Sequence, residues 1–430
     1  MTSRAALAPS YREACYWLEG VDVPRPEKEE FPREVDVVVV GGGYTGIAAA
    51  GEVARRGRSV VVLEKHTLGW GASTRNGGMV LPDVKHAGVA ELTRRHGDAG
   101  PAIYAATLDA VRLVERLVEE HSIDCGYART GHLELAHCGT ALPALRDMAE
   151  VYGADLGIEA RVLSPDDLHG EIGSTAFAGA LSVPFSGGLH PARYFAGLAR
   201  MALEAGVVVC EQTPATGLER DGAVVRVVTP RGVVRAKDVL VATDGYTDRL
   251  VPKLRRRMIP VGSYIVATEP LDPGLAKELS PRGRMFFDTK NFLSYWRLSP
   301  DGTRMLYGGR ASFAPTTVAR ARDYLYERMV RTHPQLAGVG IEFAWGGTVG
   351  LTVDRIPRLG RNDGVTFALG YSGTGVAAST YFGTAAGSWL CGEGPPPFSG
   401  LRFPAVPLSW ARPAWLPVVG LWFKWQDRCR

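Results

Sequence analysis

The segment from Val37 to Lys65, VVVVGGGYTGIAAAGEVARRGRSVVVLEK, constrains the fold more than any other part of the chain. Asp36 to Val40 is a nearly continuous β-branched run, which is typical of a parallel strand buried on both faces. Apolar residues at helical spacing follow from Tyr44 to Arg56, and Ser59 to Leu63 indicates a second strand. The segment therefore predicts a β-turn-α-β unit with a glycine turn before the helix.

The glycine turn fits the spacing G-x-G-x-x-G, with Gly41, Gly43 and Gly46 at the three positions. In such a unit the first glycine permits the tight turn, and the second lets the backbone approach a pyrophosphate. The third lets the helix pack against the strand. Free N–H groups at the helix start, near Tyr44 and Thr45, would then face the anion.

An acidic residue ends the second strand of this unit. Glu64 lies 18 residues after Gly46, where a carboxylate can accept hydrogen bonds from ribose hydroxyls. Strand, helix, second strand and acid together predict a bound dinucleotide, whereas the alternative is an ordinary glycine-rich βα turn. The unit does not distinguish FAD from NAD, because both cofactors use it.

Composition narrows the class of protein. The 430 residues are 46% hydrophobic, which is enough for one large core or two modest ones. The net charge is only +4 and both signs are interspersed, so we expect no nucleic-acid partner and interpret the basic run at 253–257 as a solvated loop. Six cysteines without a CxxC pair or zinc spacing predict a reduced, cytoplasmic protein without a structural metal.

The two ends of the sequence carry no membrane-spanning or secretory pattern. The N-terminal residues lack the apolar region of a secretory signal, and no stretch approaches the roughly 20 apolar residues of a membrane span. The C-terminal segment Ala414 to Trp425, AWLPVVGLWFKW, is short and interrupted by Pro417 and Gly420. We expect it to be either a packed tail or an interfacial one.

Three more blocks contain glycine turns. The loop His66 to Val80, HTLGWGASTRNGGMV, offers hydroxyls and an arginine that suit phosphate, and its paired glycines let the chain pass flat against a bulky group. Val239 to Thr247, VLVATDGYT, is an apolar strand that breaks into a turn. Phe367 to Leu390 is typical of a strand, a glycine turn and a helix of small residues.

The blocks CYW, GGGYTG, GASTRNGG, ATDGYT and GYSGTG resemble the FAD-dependent D-amino-acid oxidase and glycine/sarcosine oxidase superfamily, the DAO family. Within it they are most similar to the branch typified by γ-glutamylputrescine oxidoreductase. The resemblance covers nearly the whole chain in the family's order. It implies an α/β fold in which a Rossmann-type FAD-binding domain is interrupted by a substrate domain with a mixed or antiparallel sheet. It also implies oxidation of a C–N bond, with hydride moving to flavin and the imine hydrolysing afterwards.

The domain boundaries follow from this organisation. We expect an FAD-binding domain at 1–250 and 340–395, resuming near Trp345, a substrate domain at 251–339 and a C-terminal tail at 396–430. Short apolar runs between Pro260 and Gly309, with a turn at Asp301-Gly302, predict an antiparallel hairpin. The segment Thr316 to Pro334 predicts a helix that a threonine caps.

The helix after the last glycine turn has an expected electrostatic role. Hydride transfer to flavin leaves negative charge near N1 and the C2 carbonyl, so a helix N-terminus aimed there would stabilise the product. Gly373, Thr374 and Gly375 are expected to serve this role, and a turn needed only for packing is the alternative. The full set of expected FAD contacts is Gly41, Gly43, Tyr44, Thr45, Gly46, Glu64, Lys65, Ser73, Thr74, Arg75, Asn76, Gly77, Gly78, Ala215, Ala242, Thr243, Gly370, Gly373, Thr374 and Gly375.

The expected catalytic residues are Tyr295, Tyr371 and Arg310. An amine must lose its proton before hydride leaves, so we expect an apolar pocket that is free of carboxylates. The resemblance places Tyr295 where sarcosine-oxidase relatives have an active-site tyrosine, and Tyr371 lies in the flavin-facing turn. Either tyrosine can instead be a strand core residue.

Two departures from the family bear on the substrate. Sarcosine-oxidase relatives carry a lysine that pairs with the substrate carboxylate after a GFSGHG-type turn, where this chain has Ala377. The arginine that assists this lysine corresponds to Gly78. We therefore expect a small-molecule amine without a carboxylate beside the reacting carbon.

Other departures bear on the electron acceptor and the cofactor bond. The family's oxygen-activating lysine corresponds to Met305 or Leu306, with Arg304 and Arg310 as the nearest cations, so O2 or another acceptor can reoxidise the flavin. The segment WGGTVGLTVD has no cysteine where some relatives attach flavin, which predicts non-covalent FAD.

Three alternatives to an amine oxidase remain open. They are an amine dehydrogenase that uses another acceptor, a flavoprotein subunit with little redox activity of its own, and a flavin hydroxylase. The hydroxylase would need a pyridine-nucleotide site, and the sequence shows no second GxGxxG.

Overall fold

The computed structural model describes residues 4–26, 31–82, 88–310, 313 and 316–428. The helices of this part, in chain order, are α1 (Tyr44–Arg55), α2 (Val89–His96), α3 (Ala99–Glu120), α4 (Leu142–Leu156), α5 (Pro165–Leu168), α6 (Pro191–Glu204), α7 (Pro252–Arg255), α8 (Pro273–Leu279), α9 (Val318–Thr332), α10 (Gly375–Leu390) and α11 (Arg412–Gln426). The strands are β1 (Leu7–Arg12), β2 (Glu34–Val40), β3 (Val60–Leu63), β4 (Met79–Val80), β5 (His132–Leu135), β6 (Arg161–Leu163), β7 (Ala180–Val183), β8 (Gly187–Gly188), β9 (Val208–Cys210), β10 (Gly217–Asp221), β11 (Val224–Thr229), β12 (Gly232–Val241), β13 (Ile259–Thr268), β14 (Met285–Asp288), β15 (Ser294–Leu298), β16 (Met305–Gly309), β17 (Ile341–Leu351), β18 (Arg358–Asn362) and β19 (Val365–Leu369).

An eight-stranded sheet contains the glycine turn predicted from the sequence. Its parallel part has the order β19, β12, β2, β3 and β9, and β10, β11 and β18 add antiparallel pairs. Val37, Val38 and Val39 of β2 are fully buried, because apolar clusters cover both faces of the strand. This arrangement is the Rossmann-type unit that the continuous valine run predicts.

Small residues let the helices of this half approach closely. Helix α10 packs along α1, and α6 packs against α1 as well. A Cβ atom on Gly383 of α10 would lie 2.3 Å from the carbonyl oxygen of Thr45, a distance that no side chain can adopt. The small-residue pattern of the last helix therefore reflects its contact with the helix of the glycine turn.

A nine-stranded sheet forms the other half, in the order β1, β17, β13, β16, β15, β14, β5, β7, β6. Strands β15 and β16 pair antiparallel across Asp301-Gly302, and Gly302 has a φ of +73°, which confirms the predicted hairpin. Helix α9 is capped by Thr317, whose side chain accepts a hydrogen bond from the N–H of Arg320 at 3.3 Å. The α/β fold with a Rossmann-type domain and a second, mixed sheet is thus confirmed.

The nine-stranded sheet extends beyond residues 251–339. It also contains β1, the strands between His132 and Val183, and β17, all of which the sequence assigned to the FAD-binding part. Strand β17 pairs with β13 along its whole length, so Trp345 lies in the nine-stranded sheet and the chain returns to the eight-stranded one at β18. The domain boundaries remain a proposal, with the central part of the second sheet inside 251–339.

The C-terminal segment packs on the nine-stranded half through α11. The Asp427 carboxylate accepts hydrogen bonds from the N–H groups of Asn291 at 2.7 Å and Phe292 at 2.8 Å. The ring of Phe423 lies 5.6 Å from that of Phe313. No helix within the described part of the chain is both long and apolar enough to cross a membrane.

Candidate functional site

A cavity of about 920 Å³ is lined by residues of both sheets. Its volume lies near the upper end of the range of small-molecule sites, about 300–1,000 Å³, which suits a dinucleotide together with a small substrate. The cavity begins at the glycine turn after β2 and reaches the face of the nine-stranded sheet at β15.

Most residues predicted from the sequence line this cavity. They are Gly41, Gly43, Tyr44, Thr45, Glu64, Lys65, Ser73, Arg75, Asn76, Gly77, Ala215, Ala242, Thr243, Tyr295, Arg310, Tyr371, Gly373, Thr374 and Gly375. Four others do not line it: Gly46, Thr74, Gly78 and Gly370. Gly46, Gly78 and Gly370 act on the shape of the wall, as the following contacts show, and the Thr74 hydroxyl donates to the carbonyl of Gly69 at 2.6 Å.

The glycine turn has no space for side chains. A Cβ on Gly41, whose φ is +108°, would lie 2.8 Å from the carbonyl oxygen of Ala242, and a Cβ on Gly46 would lie 1.9 Å from the carbonyl oxygen of Gly41. The Ser73 hydroxyl accepts a hydrogen bond from the N–H of Tyr44 at 2.9 Å. The loop that contains Ser73 therefore directly contacts the start of α1, at the place where a pyrophosphate would bind.

Glu64 holds the turn from the end of β3. Its Oε2 accepts a hydrogen bond from the N–H of Gly42 at 2.7 Å, and its Oε1 accepts one from the N–H of His66 at 2.8 Å. Each carboxylate oxygen keeps a further acceptor position, so the side chain can also receive a ribose hydroxyl.

Two tryptophans fix the loop with Arg75 and Asn76. The indole N–H of Trp17 donates to the carbonyl of Asn76 at 2.8 Å, and that of Trp345 donates to the carbonyl of Arg75 at 3.0 Å. The Asn76 Oδ1 accepts from the N–H of Gly78 at 2.7 Å. Trp17 belongs to the CYW block and Trp345 to β17, but their role depends on contacts with a distant loop and was not predicted.

Arg297 is another residue that the sequence reasoning missed. Its guanidinium is buried and donates from Nη1 to the carbonyls of Gly78 at 2.9 Å and Leu189 at 3.1 Å. Burial lowers the pKa of Arg297 to about 10, so the group stays protonated at neutral pH. A Cβ on Gly78 would lie 2.2 Å from the carbonyl of Leu189, which explains a glycine here.

The turn before α10 is held by a carboxylate. Asp244 Oδ1 accepts a hydrogen bond from the N–H of Gly370 at 2.7 Å, and burial raises the Asp244 pKa. The hydroxyls of Tyr371 and Thr45 share a hydrogen bond of 2.8 Å, and burial raises the Tyr371 pKa. Thr374, the N-cap of α10, makes no side-chain capping bond, so the helix start at the cavity wall has N–H groups for an anion.

Tyr295 lies on the opposite wall. Its hydroxyl shares a hydrogen bond with Ser263 Oγ at 3.1 Å, and its ring would lie 3.0 Å from a Cβ on Gly77. Burial raises the Tyr295 pKa to about 12, so the phenol is neutral at ordinary pH.

Arg310 and Arg355 bring positive charge to the cavity. The Nη1 of Arg310 donates to the carbonyl of Asn291 at 3.2 Å, and burial, followed by the charge of Arg355, lowers the Arg310 pKa to about 10. Within the described residues no carboxylate forms an ion pair with either arginine, because Asp354, the neighbour of Arg355, pairs with Arg358 instead. Arg355 belongs to the DRIPRLG segment, but the sequence alone did not single it out.

The expectation of a pocket free of carboxylates is wrong. Glu134, near the end of β5, and Asp288, at the end of the neighbouring parallel strand β14, both line the cavity. Asp288 is paired with Arg328 at 3.2 Å and Lys290 at 3.5 Å, although burial raises its pKa. Apolar side chains of α4, among them Leu145 and Met148, form the wall beyond these polar groups.

The positions that depart from the family supply no cation to the cavity. Ala377, Met305 and Leu306 are buried, and none of them lines it. Arg304 forms an ion pair with Glu342 and also lies outside the lining. Of the two cations nearest to the expected oxygen-activating position, Arg304 and Arg310, only Arg310 therefore lines the cavity.

Cysteines and metal ligands do not contribute to the described site. None of the five described cysteines lines the cavity, which agrees with non-covalent FAD. The described residues contain no group of three His, Cys, Asp or Glu side chains that could hold a metal ion.

Comparison with known proteins places the chain in a family. The family described as FAD dependent oxidoreductase, DAO, matches residues 36–389. A probable oxidoreductase, OrdL, of Haemophilus influenzae is 32% identical over 86% of this chain and 86% of that protein. Gamma-glutamylputrescine oxidoreductase of Escherichia coli is 32% identical over 83% of this chain and 84% of that protein.

The fold is similar to that of a solved structure. The crystal structure of glycine oxidase from Geobacillus kaustophilus matches 86% of this chain and 99% of that chain, with a TM-score of 0.71 and 23% identity. The extent of the family match and the glycine turn at its start both support the predicted cofactor. The chain therefore belongs to the DAO family of FAD-dependent oxidoreductases, which confirms the family, the fold class and FAD as the cofactor predicted from the sequence.

Proposed function

We propose that the protein oxidises a C–N bond of a primary or secondary amine, or of an amino acid derivative. The observation that carries this proposal is the single cavity that joins the glycine turn to Tyr295 and Arg310 on the other sheet. FAD supplies the acceptor for the hydride. The substrate loses a hydride and a proton to become an imine, and water then hydrolyses the imine to a carbonyl product and a free amine or ammonia. O2 takes the two electrons and two protons to give H2O2.

The residues around the cavity favour a neutral amine. The apolar wall of α4 disfavours an ammonium ion by desolvation, and the cations Arg310 and Arg355 add to this effect. Arg328 and Lys290 balance the charge of Asp288, whereas Glu134, which also lines the cavity, acts in the opposite sense. An amine in this environment loses its proton more readily than in water, which prepares it for hydride loss.

The FAD contacts follow from the turn geometry. Gly41 and Gly43 would lie against the pyrophosphate, Glu64 would accept the ribose hydroxyls, and the start of α10 would face the flavin. Tyr295 would orient the amine through its hydroxyl. Arg310 would stabilise negative charge that develops when electrons pass to O2.

Tyr371 has a second possible role besides catalysis. Its hydroxyl is bonded to Thr45, which supports a role in joining the turn to α1. The catalytic assignments of Tyr295, Tyr371 and Arg310 remain predictions.

The proposal that the substrate has no carboxylate beside the reacting carbon rests on the two positions where this chain lacks the cations of its relatives. Ala377 and Gly78 cannot bind a carboxylate beside the reacting carbon, whereas Arg310 and Arg355 offer positive charge elsewhere in the cavity. The name of the E. coli relative points to an amine derived from putrescine. A substrate panel should thus contain putrescine, γ-glutamylputrescine, N-methylated amines and glycine.

Anaerobic titration tests the proposal directly. Each amine is added without air to the yellow protein, and we expect one of them to bleach the flavin band near about 450 nm. Readmitting air should restore the band and release one peroxide per flavin. No bleaching by any amine would favour the subunit alternative, bleaching by NAD(P)H alone would favour a hydroxylase, and recovery without peroxide would favour a dehydrogenase.

We also propose that the protein works in the cytoplasm. All five described cysteines are free, which suits a reducing compartment.

A further inference from the structure

The outer face of α11 is a continuous apolar stripe. Val418, Leu421, Trp422 and Trp425 are each half or more exposed, and their spacing puts them on one side of the helix. Trp410, just before the helix, is 83% exposed. Single exposed apolar residues are common on proteins, but a clustered stripe with two tryptophans, next to the exposed Trp410, marks an interaction surface.

The stripe is held firmly in place. The opposite side of α11 contacts the protein so closely that a Cβ on Gly420 would lie 3.3 Å from Phe313. Asp427 accepts hydrogen bonds from the Asn291 and Phe292 N–H groups, and the Lys424 ammonium lies 5.0 Å from the Phe292 ring centre. The helix is therefore anchored with its tryptophans directed outward.

A cationic cavity of about 690 Å³ adjoins the start of this helix. Four arginines line it together with Trp410, and no acidic side chain is among its lining residues. The arginines are Arg249, Arg255, Arg256 and Arg412. In the described part of the chain, none of them forms an ion pair with a carboxylate; Arg412 instead donates to the carbonyl of Ser409 at 2.9 Å.

We propose that the stripe of α11 and the four-arginine cavity together form a docking surface for a bilayer that contains anionic phospholipids. Phosphate groups of the lipids would enter the cavity, and the tryptophans would lie at the level of the headgroups, where their amphipathic rings are favoured. A second copy of this chain is a poorer occupant, since it presents the same four arginines beside the same stripe and offers no complementary charge. This proposal does not depend on the amine reaction.

Vesicle flotation with the full-length, FAD-loaded protein tests the proposal. We expect the protein to float with phosphatidylcholine–phosphatidylglycerol vesicles but not with phosphatidylcholine alone, and added salt should weaken the binding. The double substitution Arg255→Glu/Arg256→Glu should lower the partition coefficient at least about tenfold, because each basic residue near an anionic surface contributes about fivefold. The double substitution Trp422→Ser/Trp425→Ser should lower it to a similar extent by removing apolar contact.

Two matched controls separate this effect from general surface changes. Arg161→Glu reverses one charge on the exposed edge strand β6, which is half the charge change of the double arginine variant, and Leu7→Ser removes an exposed apolar side chain from β1. Both should float like the unaltered protein, and bound flavin and circular dichroism show that each variant is folded.

Several outcomes would overturn the proposal. They are no flotation with anionic vesicles, equal flotation with neutral ones, and flotation that neither double variant weakens. A dimer that the tryptophan variant disrupts, without any vesicle binding, would show that the stripe is a contact between copies of this chain and would also overturn it.

Discussion

The two sheets differ in how they build the site. In the eight-stranded sheet the contacts come from backbone atoms, with Gly41, Gly43 and Gly46 within a few residues of each other. In the nine-stranded sheet they come from polar side chains whose partners are far away in sequence, as in the pairs Tyr295–Ser263 and Asp288–Arg328. A short local pattern is thus enough for cofactor binding, whereas the substrate side needs the whole fold.

The largest expected effect is that of a substitution in the glycine turn of the eight-stranded sheet. Gly46→Ala would force a Cβ to within 1.9 Å of the carbonyl oxygen of Gly41, so we expect loss of bound FAD and of most folded protein. Gly51→Ala, on the same helix, is the control because its Cβ would lie 3.6 Å from Ala202, an ordinary contact. Flavin absorbance per protein and the yield of soluble protein measure the effect. Normal flavin content in Gly46→Ala would contradict the importance of this close approach.

Substitution of Arg310 tests whether the substrate side of the cavity can lose its activity while FAD stays bound on the other side. Arg310→Leu should lower kcat/KM for the best amine, or the rate of flavin reoxidation, by about 100-fold while FAD stays bound. The reason is the loss of one of the two neighbouring cations, Arg310 and Arg355, that line this cavity. Stopped-flow absorbance without air measures flavin reduction by the amine, and the same measurement under air measures flavin reoxidation.

Arg304→Leu is unsuitable as a control because it breaks an ion pair, so Arg161→Leu on the exposed strand β6 is preferred. Unchanged rates in both half-reactions would remove Arg310 from the site.

The pH dependence of the free energy of unfolding should depend on buried histidines such as His333. Burial lowers the pKa of His333 to about 4 from its usual value near 6.5, so the folded state resists protonation that the unfolded state accepts. The contribution of His333 to stability should therefore fall as the pH drops through the window from about 6.5 to 4, by about 2 kcal/mol between pH 7 and pH 5. Urea unfolding at the two pH values measures this difference.

His333→Gln should reduce the difference between the two pH values, since it removes the titrating ring. His121→Gln, at an exposed position, is the control and should leave the difference as it is. An equal loss of stability at pH 5 with and without His333 would assign the effect to other groups, His190 first among them, because burial also lowers its pKa to about 4.

The smallest expected effect compares the two tyrosines. Tyr371→Phe removes the hydrogen bond to Thr45 and should lower the free energy of unfolding by about 1 kcal/mol with little change in kcat. Tyr295→Phe removes the hydrogen bond with Ser263. It should lower kcat/KM about tenfold with little change in the free energy of unfolding. Thermal unfolding and steady-state kinetics measure both quantities. The reverse pattern would move the catalytic assignment from Tyr295 to Tyr371.

The sequence by itself determined the Rossmann unit, the hairpin at Asp301-Gly302, a threonine-capped helix before Pro334 and most of the cavity lining on the cofactor side. These features depend on hydrophobic period, turn chemistry and glycine spacing, which act between neighbours along the chain. The family blocks extended this information to the cofactor.

Only the tertiary structure decided how the substrate side is built. It brought Arg355 beside Arg310, placed Glu134 and Asp288 in a pocket expected to lack carboxylates, and brought Trp17 and Trp345 to one loop. Parallel pairing of β5 with β14 joins segments that are far apart in the chain, and no local pattern encodes which strands become neighbours. The role of a charged side chain depends on the groups that surround it, and the packing of the whole fold determines which groups these are.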